Sequence, residues 1–359
     1  MNTTKERADR DDDRAVVAAA QAGDQSAFAD LVERHRRELQ VHCYRMLGSF
    51  EESEDLVQET FLRAWRRRES FQGRSTFRAW LYRIATNACL DFLRKHPRTP
   101  PPYEVAPEMP SGVAVEAPPE TPWLQPYPDR LLDAIAPGDA EPDARVVAKE
   151  TIELAFLVAI QHLPPRQRAV LIMRDVLGWS ANETAALLEV SVAAVKSALQ
   201  RARPTVKQHL PQQRMEWAPA ADPTQEERAL LQRYIDAHQR ADTAAVAELL
   251  REDVLLTMPP HPVWFAGRES LIALTSQVND PGSPWHLGRW RSVATRANRQ
   301  PAVAHYVQYP DADATRQLAG DFAYRAQVLD VLRIEDGRVA QITAFEPHVF
   351  PAFGLPLTL

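Results

Sequence analysis

An acidic stretch with thirteen prolines, residues 97–143, breaks this chain into parts that must fold separately. The stretch also contains nine acidic and two basic residues, which gives it a net charge of −7. Each proline removes a backbone N–H donor and fixes φ, so the stretch cannot build a regular hydrogen-bonded core. We therefore interpret residues 98–145 as an acidic, extended linker between modules.

The bulk composition is that of an ordinary globular protein. A length of 359 residues predicts two or three domains, and the hydrophobic content of 45% is typical of such chains. No run of eighteen apolar residues occurs, and the charged N-terminus lacks the apolar core of a secretory signal. Cys43 and Cys89 show no metal-binding spacing and are expected to be buried thiols. We expect a cytoplasmic protein with no metal and no cofactor.

Composition and periodicity predict two all-α modules followed by an α+β module, which makes the fold class multidomain. Helical patterning is expected at 226–239 and 243–250, and strands at 254–258, 290–296, 302–309, 322–334 and 339–345. Asp336 and Gly337 form a strong hairpin signal between the last two strands. The predicted boundaries are an N-terminal tail 1–23, a helical module 24–97, the linker 98–145, a second helical module 146–210, a short linker 211–224, an α+β domain 225–346 and a C-terminal tail 347–359.

The first helical module reverses its charge halfway along. Residues 49–60 carry five carboxylates and no Lys or Arg, whereas residues 61–98 carry ten Lys or Arg and two acids. The second part therefore has a net charge of +8 in a chain whose overall charge is −6. Clustered cations indicate a surface that faces nucleic acid, and the acidic part indicates a basic protein partner.

Two helices and the loop between them account for this pattern. One apolar face is predicted for the acidic helix, formed by Leu56, Val57, Thr60, Phe61 and Ala64. Ser75 is the expected N-cap of the basic helix, which leaves Arg78, Arg83, Thr86 and Asn87 for solvent or a ligand. The loop Phe71-Gln72-Gly73-Arg74-Ser75 combines an aromatic ring, an amide, a glycine and a cation, which suits an unstacked base.

In this order, DLVQETFLRAW and STFRAWLYRIATNACLDFLRK resemble the sigma-70 family of transcription initiation factors, in particular its small extracytoplasmic-function group. The resemblance implies that the first segment is a helix that binds the β′ clamp of core RNA polymerase and that the second meets the minus-ten promoter element. It assigns polymerase binding to Asp55, Gln58, Glu59 and Thr60. It assigns minus-ten DNA binding to Phe71, Gln72, Gly73, Arg74, Ser75, Arg83 and Asn87.

The second helical module has a helix-turn-helix pattern. Ser180 and Glu183 form a capping box for one helix, and Ser191 caps the next. A buried stripe is predicted at Val195, Leu199, Ala202 and Val206. The outward residues are small near the helix start and basic near its end, as a recognition helix in the major groove requires.

Residues 150–208 resemble the sigma-4 domain, which binds the minus-thirty-five element and the β flap of polymerase. The resemblance assigns DNA binding to Ser191, Ala193, Ala194, Lys196, Ser197, Gln200, Arg201 and Arg203. Two departures matter: Glu189 stands in the turn, where strain is expected, and Pro204 should end or kink the recognition helix. The acidic linker suits either passage through a basic polymerase channel or a solvated tether.

The α+β module resembles the SnoaL-like fold, a cone with a curved sheet and a pocket. Candidate pocket residues are Trp264, His305, Tyr306, Asp321 and Tyr324. Strand alternation places His305 and Tyr306 on opposite faces, and no motif has catalytic spacing. The apolar, proline-broken tail is expected to pack back on a groove near residues 211–223.

These features lead to one hypothesis and two alternatives. The chain is interpreted as an alternative sigma factor that binds core RNA polymerase, directs promoter-specific initiation and carries a fused regulatory domain, without being an enzyme. The first alternative is an enzyme of the cyclase or isomerase type with appended DNA-binding modules. The second is a helix-turn-helix repressor, which would bind promoter DNA tightly without polymerase.

Overall fold

The structure is a computed structural model that describes residues 15–73, 75–98, 123–133, 152–210, 223–308 and 324–359. The chain divides into two compact units. One comprises Met1–Arg98, Leu131–Thr151 and Ala155–Pro219, and so holds both helical modules. The other comprises Thr99–Arg130, Ile152–Leu154 and Ala220–Leu359. The predicted fold class, helical modules followed by an α+β domain, is confirmed.

Four helices form the first module: α1 at residues 15–21, α2 (Gln25–Leu47), α3 (Phe50–Arg66) and α4 (Phe77–Lys95). Ser49 caps α3 by accepting from the backbone N–H of Glu52, and two carboxylates lie in the first turn, where the helix dipole favours them. Thr76, and not Ser75, caps α4, because its side chain accepts from the N–H of Ala79.

The linker contains a short helix, α5 (Asp129–Asp133), which the sequence did not predict. The second helical module then has α6 (Leu154–Gln161), α7 (Pro165–Leu171), α8 (Ala181–Leu188) and α9 (Val192–His209). A π-helical turn, Ile172–Val176, extends α7. Within the part of the chain that the structure describes, no helix combines the length and apolar content needed to cross a membrane.

The α+β domain has α10 (Gln225–Gln239), α11 (Thr243–Leu249) and α12 (Arg268–Asn279) packed on a six-stranded sheet. The strands are β1 (Leu250–Met258), β2 (His261–Ala266), β3 (Arg289–Ala297), β4 (Gln300–Gln308), β5 (Arg325–Glu335) and β6 (Arg338–Phe345). The sheet order is β2-β1-β6-β5-β4-β3, and β1 with β6 is its parallel pair. Strand β2 was not predicted.

The hairpin between β5 and β6 forms as its sequence predicts. Asp336 and Gly337 both have positive φ, 51° and 70°, which a tight two-residue turn requires. The apolar core of the domain joins α10, α11 and α12 to one face of the sheet, through residues such as Leu230, Val254 and Leu332. The helices therefore cover the face of the sheet on which His305 lies.

Candidate polymerase and nucleic-acid interfaces

Helix α3 exposes a narrow stripe of side chains. Asp55 and Gln58 are exposed, and Glu59 is partly exposed and accepts from Arg63 Nε at 2.7 Å. Thr60 differs from these three because its side chain is fully buried and its hydroxyl donates to the carbonyl of Leu56 at 2.6 Å. Its position on the apolar face of the helix therefore removes Thr60 from the surface that a partner can touch.

An apolar residue, Leu62, also belongs to this stripe, although it was not among the residues assigned to polymerase binding. Leu62 has 51% of its surface exposed. It follows Asp55 by seven residues and Gln58 by four, so the three side chains share one side of the helix. The stripe thus combines carboxylate, amide and apolar groups, a mixture that suits a protein partner.

The loop before α4 is tied down by aromatic packing. The Phe71 ring meets Phe77 edge-on at 5.6 Å and Trp80 at 5.4 Å between ring centroids. The carbonyl of Phe71 accepts from Gln21 Nε2 on α1 at 2.6 Å. Gln72, Gly73 and Ser75 are exposed, whereas Arg74 lies outside the described residues. Phe71, Phe77 and Trp80 therefore form an aromatic cluster next to the exposed residues Gln72 and Gly73.

Helix α4 separates its polar residues into two groups, and only one group faces outward. Asn87 is exposed, and the Arg83 side chain is 42% exposed. Arg78 and Thr86 were expected to face solvent, but both point inward. Arg78 Nε donates to the buried carboxylate of Glu38 at 2.7 Å, and Thr86 is fully buried. Their polar groups form hydrogen bonds inside the protein. The hydrophobic pattern of a helix does not predict such internal partners for polar residues.

The helix-turn-helix forms with the predicted caps and buried stripe. Ser180 and Glu183 make the reciprocal capping box of α8, and Ser191 accepts from the N–H of Ala194 at the start of α9. The buried residues of α9 are Val195, Leu199, Ala202 and Val206. Glu189 ends α8 in the left-handed conformation, with φ 55° and ψ 45°, so a non-glycine residue adopts the strained turn.

Pro204 does not end the recognition helix, which continues to His209. Pro204 itself is exposed, so the carbonyl that loses its helical partner can be solvated, and the helix tolerates the break. The exposed outer face matches the predicted set for Ser191, Ala193, Ala194, Lys196, Gln200, Arg201 and Arg203. Ser197 is half-buried and accepts from Arg201 Nη1 at 2.6 Å.

Arg203 is engaged within its own module. Its guanidinium makes two hydrogen bonds with the carboxylate of Asp175, at 2.9 and 2.8 Å. The hydrogen bond to Asp175 raises the pKa of Arg203 above its ordinary value. No local sequence pattern indicates this pair, because Asp175 lies in the π-helical turn, 28 residues earlier.

The two helical modules contact each other within their shared unit. The Tyr82 ring of α4 lies 5.2 Å from the Trp179 ring, and Arg83 lies 3.7 Å from the Glu189 carboxylate. Arg168 is almost fully buried and donates to the carbonyl of Met46 at the end of α2, as well as to carbonyls of its own module. Burial lowers the pKa of Arg168 to about 9, and nearby Arg98 adds to the effect.

Part of the proline-rich linker is bound to the α+β domain. Asn298 Oδ1 accepts from the backbone N–H of Tyr127 at 2.7 Å, and the N–H of Asn298 donates to the carbonyl of Tyr127 at 2.9 Å. Asn298 Nδ2 also donates to the carbonyl of Ile152, just before α6. Arg130 donates twice to the carbonyl of Ala352 in the C-terminal tail. One asparagine side chain therefore holds the segments on both sides of the undescribed residues 134–151.

The C-terminal tail folds back, as expected. Among the described residues that it contacts are Arg130 and the start of β5. Residues Pro347–Phe353 form a 3-10 helix, and Leu357 and Leu359 pair with the start of β5. In the tail, the carbonyl of Ala352 accepts from Arg130 of the first linker. Residues 211–222 of the second linker lie outside the described part of the chain.

His305 is the candidate pocket residue that lies at a buried polar centre. Its Nδ1 is 2.8 Å from Ser292 Oγ, and its Nε2 is 3.3 Å from Asp330 Oδ2, a close contact without the alignment of a hydrogen bond. Asp330 also accepts from the Tyr234 hydroxyl at 3.0 Å. Burial, and then the charge of Asp330, raises the pKa of Tyr234 well above its ordinary value. Burial lowers the pKa of neighbouring His238 to about 4.

The other candidate pocket residues do not join this centre. Tyr306 points to the opposite face, where its hydroxyl donates to the carbonyl of Pro356, as strand alternation predicts. Tyr324 pairs through its backbone with Leu359, and Trp264 lies on β2 opposite Thr257. Asp321 lies outside the described residues. The rings of Tyr234, His238 and Trp290 pack around His305.

Comparison with known proteins gives three family matches in the order of the modules. Residues 31–99 match Sigma-70 region 2, residues 153–206 match Sigma-70 region 4, and residues 231–342 match the SnoaL-like domain. The chain is 40% identical over 335 residues to the ECF RNA polymerase sigma factor SigG of Mycobacterium tuberculosis. This alignment covers 92% of this chain and 85% of the relative. It is 33% identical to the ECF RNA polymerase sigma factor SigW of Bacillus subtilis over 194 residues, 54% of this chain and 94% of the relative.

A solved structure supports the same fold over nearly the whole length. The crystal structure of the extracytoplasmic function sigma factor SigJ of Mycobacterium tuberculosis aligns with a TM-score of 0.55 and 21% sequence identity. The alignment covers 92% of this chain and 99% of SigJ. Both chains therefore carry the same arrangement of helical modules and cone-shaped domain along the sequence.

Proposed function

The chain belongs to the extracytoplasmic-function RNA polymerase sigma factors, and on this premise we propose which of its surfaces carry out each part of initiation. It acts with RNA polymerase and promoter DNA, directs transcription, and is not itself an enzyme, because polymerase performs the chemistry. The proposed site of action is the cytoplasm, where polymerase meets the promoter.

One observation carries the assignment of surfaces. The exposed stripe of α3, with Asp55, Gln58 and Leu62, lies directly before the loop and helix that expose Arg83 and Asn87. The first surface is the proposed contact with the β′ clamp, and the second is the proposed contact with the opened minus-ten strand. The recognition helix α9 is the proposed reader of the minus-thirty-five element, in a module that binds the β flap.

Run-off transcription with core RNA polymerase tests this assignment. The double variant Asp55→Ala/Gln58→Ala should lower the affinity for core polymerase by about tenfold, since central interface contacts contribute most of the binding energy. Glu33→Ala is the control, because Glu33 lies on α2, outside the α3 stripe, and its side chain is 70% exposed. A wild-type protein that neither binds core nor directs initiation would refute the proposal. Tight promoter binding without polymerase would favour a repressor.

The recognition helix makes a separate prediction about salt. Lys196 is exposed on α9, and we assign it to a phosphate contact. Lys196→Ala should weaken minus-thirty-five binding evenly across sequences and reduce the slope of log affinity against log salt by about 1. Lys207, exposed near the end of α9, is also assigned to a phosphate, so Lys207→Ala should reduce the slope by a similar amount. An unchanged salt slope for Lys196→Ala would remove Lys196 from the phosphate contacts.

The contacts between the helical modules correspond, in this proposal, to a closed state. Promoter elements near −10 and −35 are separated by roughly 85 Å of B-DNA, about two and a half helical turns. Two modules that touch through Tyr82 and Trp179 cannot span that distance. The modules must therefore separate when both elements are bound, and Arg168 must leave the carbonyl of Met46.

The α+β domain is proposed to regulate initiation by holding the linker. Asn298→Ala removes the side-chain hydrogen bonds to Tyr127 and Ile152 and places alanine at φ 56°, so the linker should be released. Run-off transcription should change severalfold relative to wild type. Deletion of all residues after 215 should change it in the same direction. Unchanged transcription from both variants would contradict regulation within the chain.

A further inference from the structure

A buried carboxylate on α2 contacts the helix proposed to meet the minus-ten element. Glu38 is 8% exposed, although it carries an ionisable group. Its Oε1 lies 2.5 Å from His35 Nδ1, and its Oε2 accepts from Arg78 Nε at 2.7 Å and from the Tyr82 hydroxyl at 3.3 Å. Both oxygens of Glu38 are therefore used, one toward its own helix and one toward α4.

The charge of Glu38 is maintained in this environment. Burial by itself raises the pKa of a carboxyl group, but the hydrogen bond from His35 and the positive charge of Arg78 more than offset it. The pKa of Glu38 is therefore below its ordinary value. The Arg78 guanidinium also lies over the Tyr82 ring, 5.1 Å from its centroid, which adds a cation–π contact.

These contacts belong to a polar ladder between α2 and α4. On α4 the ladder residues are Arg78, Tyr82 and Thr86, which are spaced four residues apart. Glu38 contacts the first two, and His42 Nε2 lies 2.9 Å from the Thr86 hydroxyl, one turn further along. Contacts at three successive turns fix both the rotation of α4 about its axis and its position along α2.

The outward residues of α4 follow the ladder by one position each. Arg83 comes directly after Tyr82, and Asn87 directly after Thr86, so each lies about 100° further round the helix. A rotation or slip of α4 would move both side chains together. The ladder also reaches the base-holding loop, because His35 packs near Phe77 at 6.0 Å, and Phe77 supports Phe71.

A purely stabilising role does not account for a buried charge at this place. Burying an ion pair costs desolvation energy that the attraction often only offsets, and apolar residues of similar volume frequently serve stability as well. The best-attested use of such a pair is to select one register among similar packings. Here the selected register is that of the helix with the outward residues Arg83 and Asn87.

We propose that Glu38 is a positioning residue for promoter opening. Through Arg78, Tyr82 and His35 it orients α4 and the loop at Phe71, so that Arg83, Asn87 and the loop meet the minus-ten strand together. The inference rests on the proposed function of α4, and it adds a residue that does not itself face DNA.

The test uses full-length protein with core polymerase on a promoter at which the wild-type holoenzyme initiates. Glu38→Gln leaves one acceptor oxygen in place of two and removes the charge, so one side of the ladder must be lost. Opening, measured by the reactivity of unpaired thymines around −10, should fall about tenfold. Affinity for core polymerase should stay within about twofold. Glu38→Asp keeps the charge and both acceptors and should recover part of the loss.

The control is Glu33→Gln, the same chemical change on the same helix at a side chain that is 70% exposed and pairs with Arg36. It should open the promoter like wild type. Core affinity that falls in parallel with opening in Glu38→Gln would show a general loss of structure and overturn the inference. So would normal opening by Glu38→Gln, or an Asp variant as impaired as the Gln variant. A wild-type protein that does not initiate would instead refute the proposed function.

Discussion

Two buried carboxylates, Glu38 in the first helical module and Asp330 in the α+β domain, have similar neighbours but different charge balance. They are 8% and 7% exposed, each accepts from a tyrosine hydroxyl, and each has a histidine nitrogen close by. Glu38 also contacts Arg78. Among the described residues, no Lys or Arg side chain makes an ion pair with Asp330.

The difference shows how a fixed cation changes what a buried carboxylate does. The arginine remains charged at every relevant pH, so the Glu38 ladder keeps one arrangement. Among the described residues, the side-chain contacts of Asp330 are with the Tyr234 hydroxyl and the His305 ring. We therefore expect the helical module to hold its polar ladder rigidly and the α+β domain to respond more strongly to the loss of a single group.

The largest expected effect is that of Asp330→Ala. The substitution leaves the Tyr234 hydroxyl and His305 buried with fewer partners, which should lower the free energy of unfolding of the α+β domain by about 3 kcal/mol. Asp253→Ala is the control, since that carboxylate is 70% exposed and pairs with Arg251 at the surface. Urea unfolding followed by tryptophan fluorescence measures both. A loss below about 1 kcal/mol would mean that Asp330 is not the centre of the network.

The pH dependence of the α+β domain should follow His238. Its pKa is lowered to about 4, first by burial and then by His305, so the unfolded chain binds this proton more readily. Stability is therefore fully present above pH 6.5 and is lost as the pH falls toward 4, by about 2 kcal/mol after allowance for partial exposure. His238→Gln should flatten the unfolding free energy over this range. An equally steep profile in that variant would assign the effect to another group.

Removal of the two tyrosine hydroxyls compares the carboxylates directly. Tyr234→Phe should lower the free energy of unfolding by about 1.5 kcal/mol, because Asp330 loses its hydrogen-bond donor. Tyr82→Phe should lower it by about 0.5 kcal/mol, since the bond to Glu38 is longer, at 3.3 Å, and Arg78 remains. Chemical unfolding of both variants provides the measurement. Equal losses would remove the distinction between the two centres.

The smallest effect is expected where a carboxylate is paired but exposed. The Glu189 side chain is 73% exposed and lies 3.7 Å from Arg83, so the pair is screened by solvent. Glu189→Gln should change the free energy of unfolding by no more than about 0.5 kcal/mol. A change above about 1 kcal/mol would show that this contact between the helical modules is stronger than its exposure indicates.

Much of the candidate interface could be predicted from sequence because it depends on helix caps and helical periodicity, which are local features of the chain. The capping box at Ser180, the N-cap at Ser191 and the buried stripe of α9 depend on contacts within four residues, and all three form. The opposite directions of His305 and Tyr306 follow equally from strand alternation. Local rules also have limits, since the predicted N-cap of α4, Ser75, was wrong by one residue and Thr76 caps the helix.

Residues with distant partners were placed incorrectly. Arg78 has the polarity of a surface residue, but it is bonded to a carboxylate 40 residues away. The bond between Asn298 and Tyr127 joins residues 171 positions apart and leaves no periodic signal. A polar side chain can be buried wherever a partner offsets its desolvation, and the partner is known only once the chain has folded.

From the sequence alone we could predict the modules and their order, most of the helices and strands, and the family to which the chain belongs. These depend on periodicity, caps and prolines, which act over a few residues. The folded structure was needed to show which charged residues are buried, that Glu38 contacts Arg78 and Tyr82 of α4, and that Asn298 binds the linker. Burial, hydrogen-bond direction and the compensation of charge are properties of residues brought together from distant parts of the chain.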